Sequence, residues 1–156
     1  MTRPYEPLSA AVLDELRGVS TATLTYYLYK RGLRNVFMQG VASLTRGETL
    51  VGQAFTLRFI PLREDKASPS VLADPSYPQR LAIETVEPGD VLVMDARGDT
   101  RAGTLGDILV ARIRARGAAG VVTDGAVRDA LAIAEQELPV YCGGAHAAAH
   151  VAVHMA

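Results

Sequence analysis

The chain predicts an α/β fold with a mainly parallel βαβαβ core, on three observations. From Val91 onward, short apolar runs alternate with amphipathic helical patterns: VLVMDA, GDILVARIRARG, GVVTDG, VRDALAIAEQE and PVYCGG. That rhythm is what parallel neighbours require, because they need a crossover and cannot be joined by a tight turn. The strand runs are continuously apolar, as in a sheet covered on both faces. Gly117 and Gly120 bracket the turn from helix back to strand.

The elements follow in order. Ser9 is placed to cap a helix over AAVLDELRG that Gly18 ends. Ser20 and Thr21 open a second helix, ATLTYYLYKRG, stopped by Gly32. Leu50 to Pro61 (LVGQAFTLRFIP) is rich in β-formers and partly alternating, which predicts a strand. Leu62 to Pro78 is charged, then rich in Ser and Pro, and is expected to be a long mobile loop. A short helix, PQRLAIETV, precedes the Pro-Gly turn that enters the first apolar strand.

Composition bounds the function. A chain of 156 residues fits a single domain over 1–156, with residues 1–18 as an N-terminal helical segment and 145–156 as an irregular tail. A net charge of −1 gives no electrostatic case for nucleic acid or an anionic membrane as partner. The single cysteine, Cys142, excludes an internal disulfide and suits a reducing compartment. No apolar run approaches the ~20 residues of a membrane span. The N-terminus lacks the apolar core of a secretion signal, so the cytoplasm is the expected location.

Most of the chemistry lies in Gly98–Asp129, GDTRAGTLGDILVARIRARGAAGVVTDGAVRD. Open α/β units place ligands at the carboxyl ends of their strands. Asp107 follows Gly106 at a helix start, where a carboxylate satisfies free amides and suits the dipole. The same amides, Gly106 to Leu109, also make a site for a substrate carboxylate. Arg128 alone reads as a solvated helix-start arginine, yet its fork matches the two oxygens of a 2-oxo acid. Asp129 alone reads as a first-turn acid, and Asp124, in TDG, as a turn residue. All four fall at the same predicted sheet edge. Hard oxygen ligands without supporting His or Cys point to Mg2+ or Mn2+. Such an ion polarises a carbonyl as an enolate develops, which suits carbon–carbon cleavage beside a 2-oxo acid.

In this context the chain resembles the RraA-like proteins, which include the 4-hydroxy-4-methyl-2-oxoglutarate (HMG) aldolases. The resemblance runs from about Ser20 to Gly144. It rests on an aspartate, twenty intervening residues and then Arg-Asp, met here by Asp107, Arg128 and Asp129, with the stretch GAAGVVTDGAVRD ending on that pair. STATLTYYLYKRG, VGQAFTLRF and PGDVLVMDA are further landmarks. The resemblance implies a three-layer β/β/α fold of the swivelling-domain kind. It implies a divalent-metal aldolase that releases pyruvate from a 4-hydroxy-2-oxo acid and decarboxylates oxaloacetate. Asp129 is then the metal ligand, Asp107 acts through water on the metal, and Arg128 binds substrate and stabilises the enolate. Gly106, Ile108 and Leu109 hold the substrate carboxylate. Homotrimers or hexamers with inter-subunit sites are implied as well. Two other functions attach to the scaffold: a non-catalytic regulator that binds a ribonuclease, and a sugar-acid dehydratase. Two features depart from the pattern. A further β-rich C-terminal segment is missing, so the chain reads as C-terminally truncated, and Tyr26-Tyr27 stands where many relatives carry a small or acidic pair.

The remaining motifs are weaker. His146, His150 and His154 are spaced by four, so a helix would align them as a transition-metal site, against the plainer reading of an irregular tail. Cys142 has no base nearby in sequence and reads as a small buried residue. Gly98, Gly103 and Gly106 do not have the spacing of a dinucleotide fingerprint.

Overall fold

The computed structural model describes residues 6–45 and 49–156, in two compact units, 1–39 and 40–156. Residues 1–5 of the expected N-terminal segment lie outside the described residues. The first unit is a pair of helices, α1 (Ala10–Arg17) and α2 (Thr21–Lys30). Both start as their sequences dictate: Ser9 Oγ accepts the Val12 N–H at 3.4 Å and Ser20 Oγ accepts the Thr23 N–H at 3.2 Å. Gly18 caps α1, and Gly32, at φ 84°, takes the left-handed turn after α2. Neither helix has a buried residue, and Tyr26, Tyr27 and Tyr29 stand exposed.

The second unit carries the core. Its strands are β1 (Ala42–Ser43), β2 (Gln53–Arg58), β3 (Ile60–Pro61), β4 (Asp90–Asp95), β5 (Gly120–Thr123), β6 (Ala126–Val127), β7 (Val140–Cys142), β8 (Gly144–Ala145) and β9 (His154–Met155). Its helices are α3 (Pro78–Thr85), α4 (Asp107–Ala115) and α5 (Ala130–Ala134). A five-stranded sheet runs β1-β7-β5-β4-β2. The pairs β2–β4, β4–β5 and β5–β7 are parallel, and only the edge strand β1 is antiparallel. The expected α/β fold with a mainly parallel sheet is therefore observed. Leu92 and Val121, partners in register, are both fully buried, as are Val110 and Ile113 of α4. Burying side chains of this size contributes roughly 1.5–3 kcal/mol each.

Several elements differ from expectation. The long strand breaks after Arg58 into β2 and β3, with Phe59 buried at the break and its N–H on the Asp95 carbonyl at 2.8 Å. The 62–78 loop contains a 3₁₀ turn, Pro69–Ala73. The helix expected over VRDALAIAEQE shrinks to α5, because Val127 is taken into β6 and Asp129 adopts φ 54°, ψ 38°, outside any right-handed helix. Among the described residues, β strands beyond the central sheet form only two two-stranded pieces, β3–β9 and β6–β8. Residues 145–156, expected as an irregular tail, contain a 3₁₀ turn (His150–Ala152) and β9, which pairs antiparallel with β3 through Ile60↔Met155 and Pro61↔His154. That tail is anchored because it supplies buried rings: His150 is 6% exposed and His154 0%. Among the described residues, no helix is long and apolar enough to cross a membrane.

Candidate active site

The site is assembled by a small backbone ladder. Residues 103–105 run between two later segments: Thr104 N–H donates to the Ala126 carbonyl at 2.7 Å, and Arg128 N–H to the Leu105 carbonyl at 2.8 Å. On the other side Gly103 N–H donates to the Ala148 carbonyl at 2.8 Å and Gly103 bridges Ala149. Thr104, fully buried, ties this ladder down through its Oγ1 bond to the Ala126 carbonyl at 3.0 Å. The ladder sets the start of α4, the Arg128-Asp129 turn and the His150 segment side by side.

Glycine is required at two of these positions. A Cβ on Gly103 would lie 2.5 Å from Arg128 Cγ and 2.7 Å from Arg128 N, and a Cβ on Gly106 would lie 2.8 Å from Asp129 Oδ2. The Asp129 carboxylate thus occupies space at the start of α4 that any side chain at 106 would fill. Asp129 itself is exposed, makes no capping bond to α5, and sits in the left-handed region that Asp tolerates better than most residues.

Arg128 is half-buried and faces a cavity of about 470 Å³ that it shares with Ile108 and Leu109 of α4. Its Nε is buried and has no partner among the described residues. An orphaned donor of this kind is satisfied by an incoming acceptor. Tyr77, Gln79 and Ile83 form another part of the wall, and Gln79 Nε2 donates to the Thr104 carbonyl. Glu84 and Arg112 also line the cavity, joined by a fork-to-fork pair at 3.0 and 2.6 Å. The Arg112 guanidinium holds the Glu84 carboxyl below its usual range. Arg80, Ala149 and His150 complete the lining.

Of the residues singled out from sequence, Gly106, Ile108, Leu109, Arg128 and Asp129 come together around the start of α4. Asp107 is the first residue of that helix. Its Oδ1 accepts the Ile108 N–H at 2.8 Å, so in this state one amide expected to face a substrate is engaged by the neighbouring carboxylate. Asp124 does not join them. Its oxygens accept the Ala96 and Gly98 N–H groups at 2.5 and 2.7 Å, holding the left-handed pair Arg97 (φ 60°) and Gly98 (φ 66°).

The histidines do not share a helix face. His146 is exposed and accepts the Ala148 N–H at Nδ1, 3.1 Å. His150 bonds the Tyr77 hydroxyl at 3.0 Å, and His154 packs 5.8 Å from the Phe59 ring. Among the described residues no group of three His, Cys, Asp or Glu side chains could hold a metal ion by itself. Cys142 is buried, its Sγ donating to the Gly144 carbonyl at 3.3 Å, and burial pushes its thiol up. Sequence reasoning missed Tyr77 and His150 as cavity residues. Tyr77 ends a loop without periodicity, and His150 lies in the stretch read as tail.

Known proteins place this site in context. The model of the RraA-like family, described as Aldolase/RraA, matches residues 9–155. A Halalkalibacterium halodurans protein, provisionally named 4-hydroxy-4-methyl-2-oxoglutarate aldolase, is 40% identical over 68 residues, 44% of this chain and 32% of that protein. Protein DlpA of Legionella pneumophila is 28% identical over 133 residues, 85% of this chain and 20% of its own length. The chain thus spans no more than about a third of either curated relative. The crystal structure of Streptomyces coelicolor RraAS2, an unusual member of the RNase ES inhibitor RraA family, superposes with a TM-score of 0.82 at 35% identity, covering 97% of this chain and 72% of that one. With the family match running through the ladder, the Arg128 cavity and the clasped C-terminal strand alike, the chain belongs to the RraA-like family.

Proposed function

We propose that the protein is a divalent-metal lyase acting on a small 2-oxo acid. It would release pyruvate from a 4-hydroxy-2-oxo acid, decarboxylate oxaloacetate, or do both. The observation that carries this reading is the half-buried Arg128, with an orphaned Nε, sharing a cavity with the first turn of α4 while the Asp129 carboxylate lies against Gly106. The donor set fits Mg2+ or Mn2+, which bind through one or two carboxylates plus water and substrate oxygens and need no all-protein cage. Asp129 would hold the ion, with Asp107 acting through water on it, and the ion would supply Lewis-acid polarisation of the 2-oxo carbonyl. Arg128 binds the oxygens of the 2-oxo acid bidentately and stabilises the negative charge that grows as the bond breaks. The amides at the start of α4 orient the carboxylate, with Asp107 yielding the Ile108 N–H when substrate arrives.

Pyruvate release from oxaloacetate and from 4-hydroxy-2-oxoglutarate, with and without Mg2+, tests the reading. Turnover that requires the ion and is lost in Asp129→Asn is the expected result. Turnover indifferent to chelator would overturn it. The likeness to RraAS2 favours a second reading, a non-catalytic regulator of a ribonuclease. That reading predicts a stable complex with a ribonuclease and no metal-dependent pyruvate release. As an enzyme, the chain is proposed to work as a homotrimer or hexamer, which light scattering checks.

A further inference from the structure

His150 is an imidazole that the proposed chemistry leaves unused, although it lines the same cavity as Arg128. It is only 6% exposed, and its stacked neighbour Tyr77 is 5% exposed, with ring centroids 5.7 Å apart. Tyr77 Oη and His150 Nε2 share a hydrogen bond of 3.0 Å whose direction is set by the imidazole tautomer. Tyr77 Oη accepts the Ala156 N–H at 2.9 Å, and His150 Nε2 is the acceptor hydrogen-bonded to it among the described residues, so we assign the buried phenol proton to that bond. His150 Nε2 is then the acceptor and the ring proton sits on Nδ1, which makes no hydrogen bond among the described residues. Burial, reinforced by His154 nearby, pushes the imidazole down to about 4, so the ring is neutral at pH 7. It therefore presents a single uncharged N–H donor in a cavity whose guanidinium groups already match carboxylates.

We propose that His150 is a specificity-determining residue whose Nδ1–H donates to a hydroxyl on the substrate chain beyond the 2-oxo acid group, with Tyr77 as the positioning residue that fixes its tautomer. The proposal rests on the 2-oxo acid reading of the cavity. A neutral donor discriminates in the required way. A hydroxyl gains a bond to the N–H that an analogue lacking it cannot make.

The test uses 2-oxoglutarate and 4-hydroxy-2-oxoglutarate, which differ only at the C4 hydroxyl. Imidazole 15N spectra of the whole protein with Mg2+ contain only three histidines, and His150→Gln assigns the signal. The expected result is an Nδ1–H tautomer for His150, with a resonance that moves on adding the hydroxylated acid and not the other. In turnover, His150→Leu should lower kcat/KM for 4-hydroxy-2-oxoglutarate about tenfold and leave oxaloacetate decarboxylation within about twofold. His150→Gln, which keeps an N–H donor, should recover most of the loss, and Tyr77→Phe should give a mixed tautomer and an intermediate loss. An Nε2–H tautomer, equal shifts with both acids, or equal losses on both substrates would overturn the proposal. If the wild-type protein neither binds nor cleaves either acid, the lyase reading fails with it. Pyruvate release without hydroxyl-dependent shifts sinks the His150 assignment alone.

Discussion

Two turns at the strand ends carry aspartates five residues apart, and the chain uses them in opposite ways. Asp124, after β5, has its oxygens filled by the amides of Ala96 and Gly98, and it braces a pair of left-handed residues. Asp129, after β6, is itself left-handed, exposed, and caps nothing. A carboxylate is structural where backbone donors consume its lone pairs. Asp129 keeps its lone pairs clear of backbone donors in a left-handed turn that Asp tolerates, and the proposed metal role would use them.

The largest expected effect tests the free acid. Asp129→Asn should reduce metal-dependent pyruvate release about a thousandfold while the Tm moves by no more than about 2 °C; a large stability loss would erase the contrast between the turns. Asp124→Ala should do the reverse. Losing an acceptor of two charge-assisted bonds costs about 3 kcal/mol, lowering the Tm by roughly 6–12 °C in thermal unfolding, with kcat per folded molecule nearly kept. Gly106→Ala sharpens the comparison from the neighbouring side. Its Cβ would displace the Asp129 carboxylate, so calorimetry should show Mg2+ binding weakened about tenfold, or about 1.4 kcal/mol, with little change in stability.

The smallest effect separates both turns from the buried imidazole. His150 is held down at about 4, below its unfolded value, so the unfolded chain binds the proton first as pH falls. The stability this group contributes is present above about pH 6.5 and is lost progressively toward pH 4. Between pH 7 and 5.5 the loss should be roughly 1 kcal/mol, or about 2–4 °C in Tm. It should persist in both aspartate variants and shrink in His150→Gln. A loss unchanged in His150→Gln would assign it elsewhere.

The helical starts and the parallel core were legible because their causes are local. Ser9 and Ser20 cap as their positions predict, and the apolar runs of β4, β5 and β7 became buried, mutually paired strands. The Asp107 spacing to Arg128 and Asp129 was legible as a pattern, and five of the flagged residues do meet around α4. The failures share one origin. β6, β8 and β9 are two residues each, too short for any periodicity, and they exist only because another segment lies alongside. The shortening of α5 follows from β6, and the anchoring of residues 145–156 follows from β9. Tyr77 and His150 are 73 positions apart, and no spacing rule joins them.

The sequence by itself determined the βαβ rhythm, the caps and the candidate acids, since these depend on side-chain period and on bonds within a few residues. Only the tertiary structure decided which aspartate is braced, which is left free, and which histidine enters the cavity. Those outcomes turn on where backbone donors and buried surface from remote segments fall, and a linear pattern does not encode that distance.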